Sequence, residues 1–98
     1  MSTKKDIRFV VERLFNMAAG GSVKTNEVTA SKFPAVVKRI EETYDVQILD
    51  PSLTVDQIVD ICYNTNRARA IQKIKQYVNE YTIDVSEIFP PDIDASIH

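Results

Sequence analysis

Ile7, Val10, Val11, Leu14 and Ala18 recur at the i, i+3, i+4, i+7 spacing of one helical face, with Phe15 and Met17 at its edges. The pattern predicts a helix from about Lys4 to Ala19. Gly20-Gly21 should end it, because glycine accepts the left-handed conformation that closes helices. Phe9 is off the stripe, among Glu12, Arg13 and Asn16. It either covers a neighbouring segment or serves as an aromatic anchor for a partner or a second copy.

Ser22 to Ala30 is polar with scattered β-branched residues, the pattern of a connection holding a short strand or a helical turn. A second helix follows from about Ser31 to Tyr44, with Phe33, Val36, Val37, Ile40 and Tyr44 inward and Lys38, Arg39 and Glu42 facing water. Pro34 fits only its first turn, which places Ser31 or Lys32 near the cap. Val46-Gln47-Ile48 alternates like a brief strand, and Asp50-Pro51 forces a turn.

Leu53 to Ile58 carries a capping box, Thr54 with Gln57, and a hydrophobic staple of Leu53 against Ile58. Val55, Ile58, Val59 and Cys62 then form one stripe, and Ile71, Ile74, Val78 and Tyr81, flanked by Ala70 and Tyr77, form another. At one helical step per residue the second stripe lies roughly 110° round from the first. A single rod would need two unrelated burial faces. Asn64-Thr65-Asn66 is poor helix interior and good cap material, so the pattern predicts two helices, Thr54–Tyr63 and Asn66–Tyr81, folded back on each other like a helix-turn-helix hairpin. Beyond Tyr81, Thr82-Ile83-Asp84-Val85 either extends the helix or pairs with Val46–Ile48 as a minor two-stranded element. Pro90-Pro91 stops regular structure, leaving 90–98 as a disordered acidic tail after a single helical domain of residues 1–89. The expected class is all-α or nearly so, a compact four-helix domain.

Composition narrows function mainly by exclusion. Ninety-eight residues can build one core without metal or disulfide support. A lone cysteine, Cys62, offers neither a disulfide framework nor a paired-thiol metal site, and points to a reducing compartment. Arg8, Glu12, Arg13 and Asn16 interrupt every window that would serve as a signal peptide, and no apolar run is long enough for a membrane. Cytoplasmic location is the expectation.

The formal net charge of −2 conceals a division. Residues 1–79 hold all 12 bases against 9 acids, whereas residues 80–98 hold Glu80, Asp84, Glu87, Asp92 and Asp94 with no base. The acidic end either serves solubility as a solvated tail or competes with an anionic partner for the basic face.

Catalytic parts are missing. His98 is the single histidine and the terminal residue, so no Ser-His or Cys-His pair and no histidine metal site can be assembled. Cys62 lies on an apolar stripe, where a thiol stays protonated and inert. Asp56 and Asp60 share a helix face that can hold a cation, but a solvated acidic helix surface is the usual explanation. Gly20-Gly21 lacks the context of a phosphate loop. Neither an enzyme nor a cofactor is expected.

Two binding readings remain. In the first, the chain is a small regulatory or interaction protein that binds a protein partner through Phe9, Arg13, Arg67, Arg69 and Lys73, with a homodimer as one form of that contact. In the second, Arg67, Arg69 and Lys73 contact DNA from the second helix of a helix-turn-helix. Against DNA stand a turn without glycine, apolar positions out of register with that motif, and a pI near 5.3, which disfavours phosphate neutralisation.

Overall fold

The computed structural model describes residues 3–88. The fold is all-α. Four helices run in chain order, α1 (Lys4–Ala19), α2 (Pro34–Tyr44), α3 (Val55–Tyr81) and the single turn α4 (Val85–Ile88), with a 3-10 turn at Ala30–Lys32. Contacts divide the chain into two units, Met1–Arg67 and Ala68–His98, with the boundary inside α3.

The first unit is built by its caps. Thr3 and Asp6 form a reciprocal capping box at the start of α1, and Gly20 closes the helix at φ 74°, with the Gly21 N–H donating back to the Asn16 carbonyl. Within α1 the inward line is the i, i+4 row of Ile7, Val11 and Phe15. Phe15, expected at the edge of the stripe, is fully buried and meets Phe33 edge-on at 6.0 Å between ring centroids. Ala18, expected inward, is exposed because it lies in the last turn, past the core.

Helix α2 begins later than the stripe implied. Ala30–Lys32 is wound as a 3-10 turn, and Phe33, not Ser31 or Lys32, stands at the cap with Pro34 in the first turn. Val37 and Ile40 are buried, while Lys38, Arg39 and Glu42 face water. Asp45 adopts a left-handed conformation at φ 53°, and the Val46 N–H returns to the Glu41 carbonyl. Val46 and Ile48 are buried, so the alternation is real, but no strand forms there: the Ile48 N–H donates to the Glu41 carboxylate at 2.9 Å. Among the described residues the β pairing consists of one isolated antiparallel bridge, Thr29 to Thr54, and the two-stranded element expected near Val46 and Ile83 is absent.

At the N-terminus of α3 all four leading N–H groups find acceptors. Val55 donates to the Val28 carbonyl, Asp56 to the Thr25 carbonyl, Gln57 to the Thr54 hydroxyl and Ile58 to the Thr54 carbonyl. Gln57 completes the capping box by accepting from the Thr54 N–H at 2.9 Å. The polar connection of residues 22–30 therefore acts as the cap of α3. Val55, Ile58, Val59 and Cys62 are buried with the inward rows of α1 and α2.

The expected break at Asn64–Asn66 does not occur. Helix α3 runs unbroken for 27 residues, so there is no helix-turn-helix hairpin. Extending a helix is far easier than nucleating one, and the buried first half has already nucleated this one. Asn, Thr and Asn each cost only about 0.5 kcal/mol relative to alanine in a helix interior. Asn66 offsets part of that cost: its side-chain amide donates to the Cys62 carbonyl at 2.9 Å and to the Tyr44 carbonyl at 3.2 Å. The residue expected to cap a new helix ties the existing one to the end of α2.

In the second unit, α3 closes at Thr82, whose φ of 50° is left-handed, with the Ile83 N–H donating to the Val78 carbonyl. Asp84 and Glu87 then cap α4: the Asp84 N–H donates to the Glu87 carboxylate and the Ser86 N–H to the Asp84 carboxylate, each at 2.9 Å. The expected acidic tail, 90–98, and His98 lie outside the described residues.

Candidate interaction surface

The five expected contact residues fall into two sets. Phe9 and Arg13 are one helical turn apart on α1, and both are exposed, Phe9 at 65%. Arg69 and Lys73 are likewise one turn apart and exposed, in the second half of α3. Arg67, also exposed, is the last residue of the first unit. Phe9 and Arg13 thus belong to one unit, Arg69 and Lys73 to the other.

The side chains expected to be buried in the second half of α3 are not. Ile71, Ile74, Tyr77 and Tyr81 are 36%, 49%, 52% and 68% exposed, and Val78 is half-buried. Ile71, Ile74, Val78 and Tyr81 follow the alternating 3-4-3 spacing of a coiled-coil seam. Tyr77 widens it, its ring 6.3 Å from that of Tyr81. Four large apolar residues exposed along one face of one helix form a patch, which single scattered apolar residues do not. This exposed face is the candidate surface, where the sequence pattern predicts a core. Its periodicity was visible, but the assumption that every apolar stripe must be buried by its own chain assigned it to a core.

Charge is distributed unevenly around this seam. From Ile61 to Asn79 there are four bases, Arg67, Arg69, Lys73 and Lys75, and no acid; from Glu80 onward there are acids and no base.

Other candidate chemistry is absorbed by structure. Asp56 accepts from Arg8 at 2.7 Å, and Asp60 is paired with Lys4 at 2.7 Å, so these two carboxylates join α3 to α1. The Arg8 bond, followed by one from Thr25, holds the Asp56 carboxyl below the usual carboxylate range. The same bond, donated to Asp56, raises the Arg8 guanidinium further above its already high value. Burial pushes the Cys62 thiol up to about 11, which keeps it protonated at neutral pH. Among the described residues no group of three His, Cys, Asp or Glu side chains is placed to hold a metal ion. No helix among them is long and apolar enough to cross a membrane.

The first unit also holds a cavity of about 580 Å³ lined by Ile7, Tyr44 and Tyr63, with Lys4, Asn66 and Arg67 around it. Of its polar side chains, Lys4 is engaged with Asp60 and Asn66 with two carbonyls. No buried side-chain nitrogen or oxygen among the described residues lacks a hydrogen-bond partner, so nothing in the cavity calls for a polar ligand.

No family model, curated protein or solved structure matches the chain.

Proposed function

We propose that this chain is a non-catalytic interaction protein that binds a protein partner through the second half of α3. The observation that carries the reading is the seam of exposed Ile71, Ile74 and Tyr81 and half-buried Val78, continuous with exposed Tyr77. A protein partner supplies both of the things that this face offers to bind. Its apolar side chains would cover the isoleucines and tyrosines, and its carboxylates would meet Arg69, Lys73 and Lys75. The exposed pair of Phe9 and Arg13 offers a second, smaller contact of the same kind on α1. Nucleic acid would use the cations of this helix but leave its apolar seam in water, which makes DNA the less economical ligand.

A pull-down with the full chain tests the reading, with and without nuclease, using wild type beside Ile74→Asp and the double change Arg69→Ala with Lys73→Ala. Capture that survives nuclease, is abolished by Ile74→Asp and is weakened by the double change is the expected outcome. Capture that disappears on nuclease treatment, or that Ile74→Asp leaves intact, would overturn it. A steep loss of affinity for duplex DNA with added salt would indicate the nucleic-acid alternative through Arg67, Arg69 and Lys73.

A further inference from the structure

We infer that residues 89–98 supply the occupant of the α3 seam in cis: Asp92-Ile93-Asp94 docks along Lys73-Ile74-Lys75, and a protein partner must displace it. The inference rests on the interaction reading above and adds its regulation.

Both stretches belong to the second unit, Ala68–His98. At about 100° per residue, Lys73 and Lys75 stand to either side of Ile74, so one cation borders each flank of the seam. Both are exposed, and neither is paired with a carboxylate among the described residues. Of the five acids from Glu80 onward, Glu80 accepts from Gln76, and Asp84 and Glu87 cap α4. The other two are Asp92 and Asp94, which enclose Ile93 directly after Pro90-Pro91. Paired prolines favour the extended threefold helix, in which successive side chains are about 120° apart. In that winding Asp92 and Asp94 lie to either side of Ile93. An isoleucine between two acids thus meets an isoleucine between two bases.

Length and direction agree with the charges. Thr82, left-handed, follows the last residue of α3, so the chain leaves the helix axis at the C-terminal edge of the seam. Ile74 lies about 10 Å back along the axis from Tyr81 at 1.5 Å per residue. The step from Ile88 to Ile93 spans about 16 Å at 3.1 Å per residue, enough to return that distance. Phe89 is about 12 Å from Ile93 in the same winding, which sets it beside Tyr81 when Ile93 is beside Ile74. A tether this short holds the segment at an effective concentration on the order of 1 mM. It therefore takes the seam ahead of a micromolar partner of equal affinity, and a tighter partner replaces it.

Paramagnetic relaxation enhancement in the full chain reads the docking. A nitroxide is attached at Ala95→Cys, Cys62 being buried. Broadening of the α3 amides is expected to be greatest around Ile71 and Ile74, and to be unchanged on dilution. A tail that is merely tethered would broaden Tyr81 most and Ile71 least. Asp92→Lys with Asp94→Lys should give that tethered profile and raise capture of a protein partner several-fold. Adding Lys73→Glu with Lys75→Glu should restore the docked profile, with far-UV circular dichroism unchanged throughout.

A tethered profile without the charge reversal overturns the inference, as does a docked profile that survives it. Broadening that passes only from spin-labelled to isotope-labelled molecules in a mixture gives the seam to a second copy and overturns it too. If the profile is tethered while Ile74 remains necessary for nuclease-resistant capture of another protein, the tail is the wrong occupant and the interaction reading stands. A docked profile with no such capture, even after the charge reversal, keeps the docking and removes the interaction reading.

Discussion

The two halves of α3 share one backbone and comparable apolar content, yet they meet opposite environments. From Val55 to Cys62 every inward apolar side chain is buried, the leading N–H groups are capped, and Asp56 and Asp60 are paired with cations of α1. From Ile71 to Tyr81 the apolar side chains are exposed along one face, with Val78 half-buried among them. Periodicity reports which side of a helix is apolar, but it does not report what covers that side. The roughly 110° offset between the two stripes marks a change of apolar face along one unbroken helix.

The contrast is open to mutation. The largest effect is expected at Ile58, which is fully buried. Ile58→Ala should lower unfolding free energy by about 2–5 kcal/mol in a denaturant titration, the range for truncation in a packed core. A loss below 1 kcal/mol would mean that the first half of α3 is not packed as described.

Asn66 comes next. Asn66→Ala deletes the bond to the Tyr44 carbonyl while improving helix propensity, so a net loss of about 1 kcal/mol is expected. If that residue instead opened a new helix, the same change would disturb circular dichroism along with stability.

A smaller effect is expected at Asp56, and it carries a pH signature. Its carboxyl titrates below the ordinary range in the folded chain, so its contribution is present in full above the unfolded value near 4 and is lost as pH falls through the folded value. Asp56→Asn should cost about 0.5 kcal/mol at neutral pH, the scale of a half-exposed ion pair. The difference between wild type and variant should close in acid, below about pH 4, in thermal melts run at stepped pH. A gap that persists unchanged into acid would assign the effect to something other than the ionised carboxylate.

The smallest effects on folding are expected at the exposed positions. Ile74→Ala and Phe9→Ala should each shift monomer stability by no more than about 0.5 kcal/mol, measured at a concentration low enough to exclude association. Ile58 and Ile74 place the same substitution on the same helix, so the ratio of their costs measures the contrast between the halves.

Much of the fold was legible in the sequence, because its signals were local. Lys4–Ala19, the Gly20 terminus, Pro34 in the first turn of α2 and the Thr54–Gln57 capping box depend on neighbouring residues and appear as expected. What escaped depended on distant ones. The Tyr44 carbonyl that holds Asn66 is 22 residues away, and the Arg8 partner of Asp56 is 48 residues away. Glu41 caps the backbone of Ile48 with its side chain, which makes an alternating segment a loop where a strand was expected. The candidate site was half legible. The cations and Phe9 are exposed, as their polarity and misfit imply, whereas the seam reads as core because nothing along the sequence distinguishes a covered stripe from an exposed one.

The most direct test is residue-resolved amide exchange along α3. The expected result is strong protection from Ile58 to Cys62 and much weaker protection around Ile71–Val78. Protection that is uniform along the helix would contradict the account, because the second half would then be held as firmly as the packed first half.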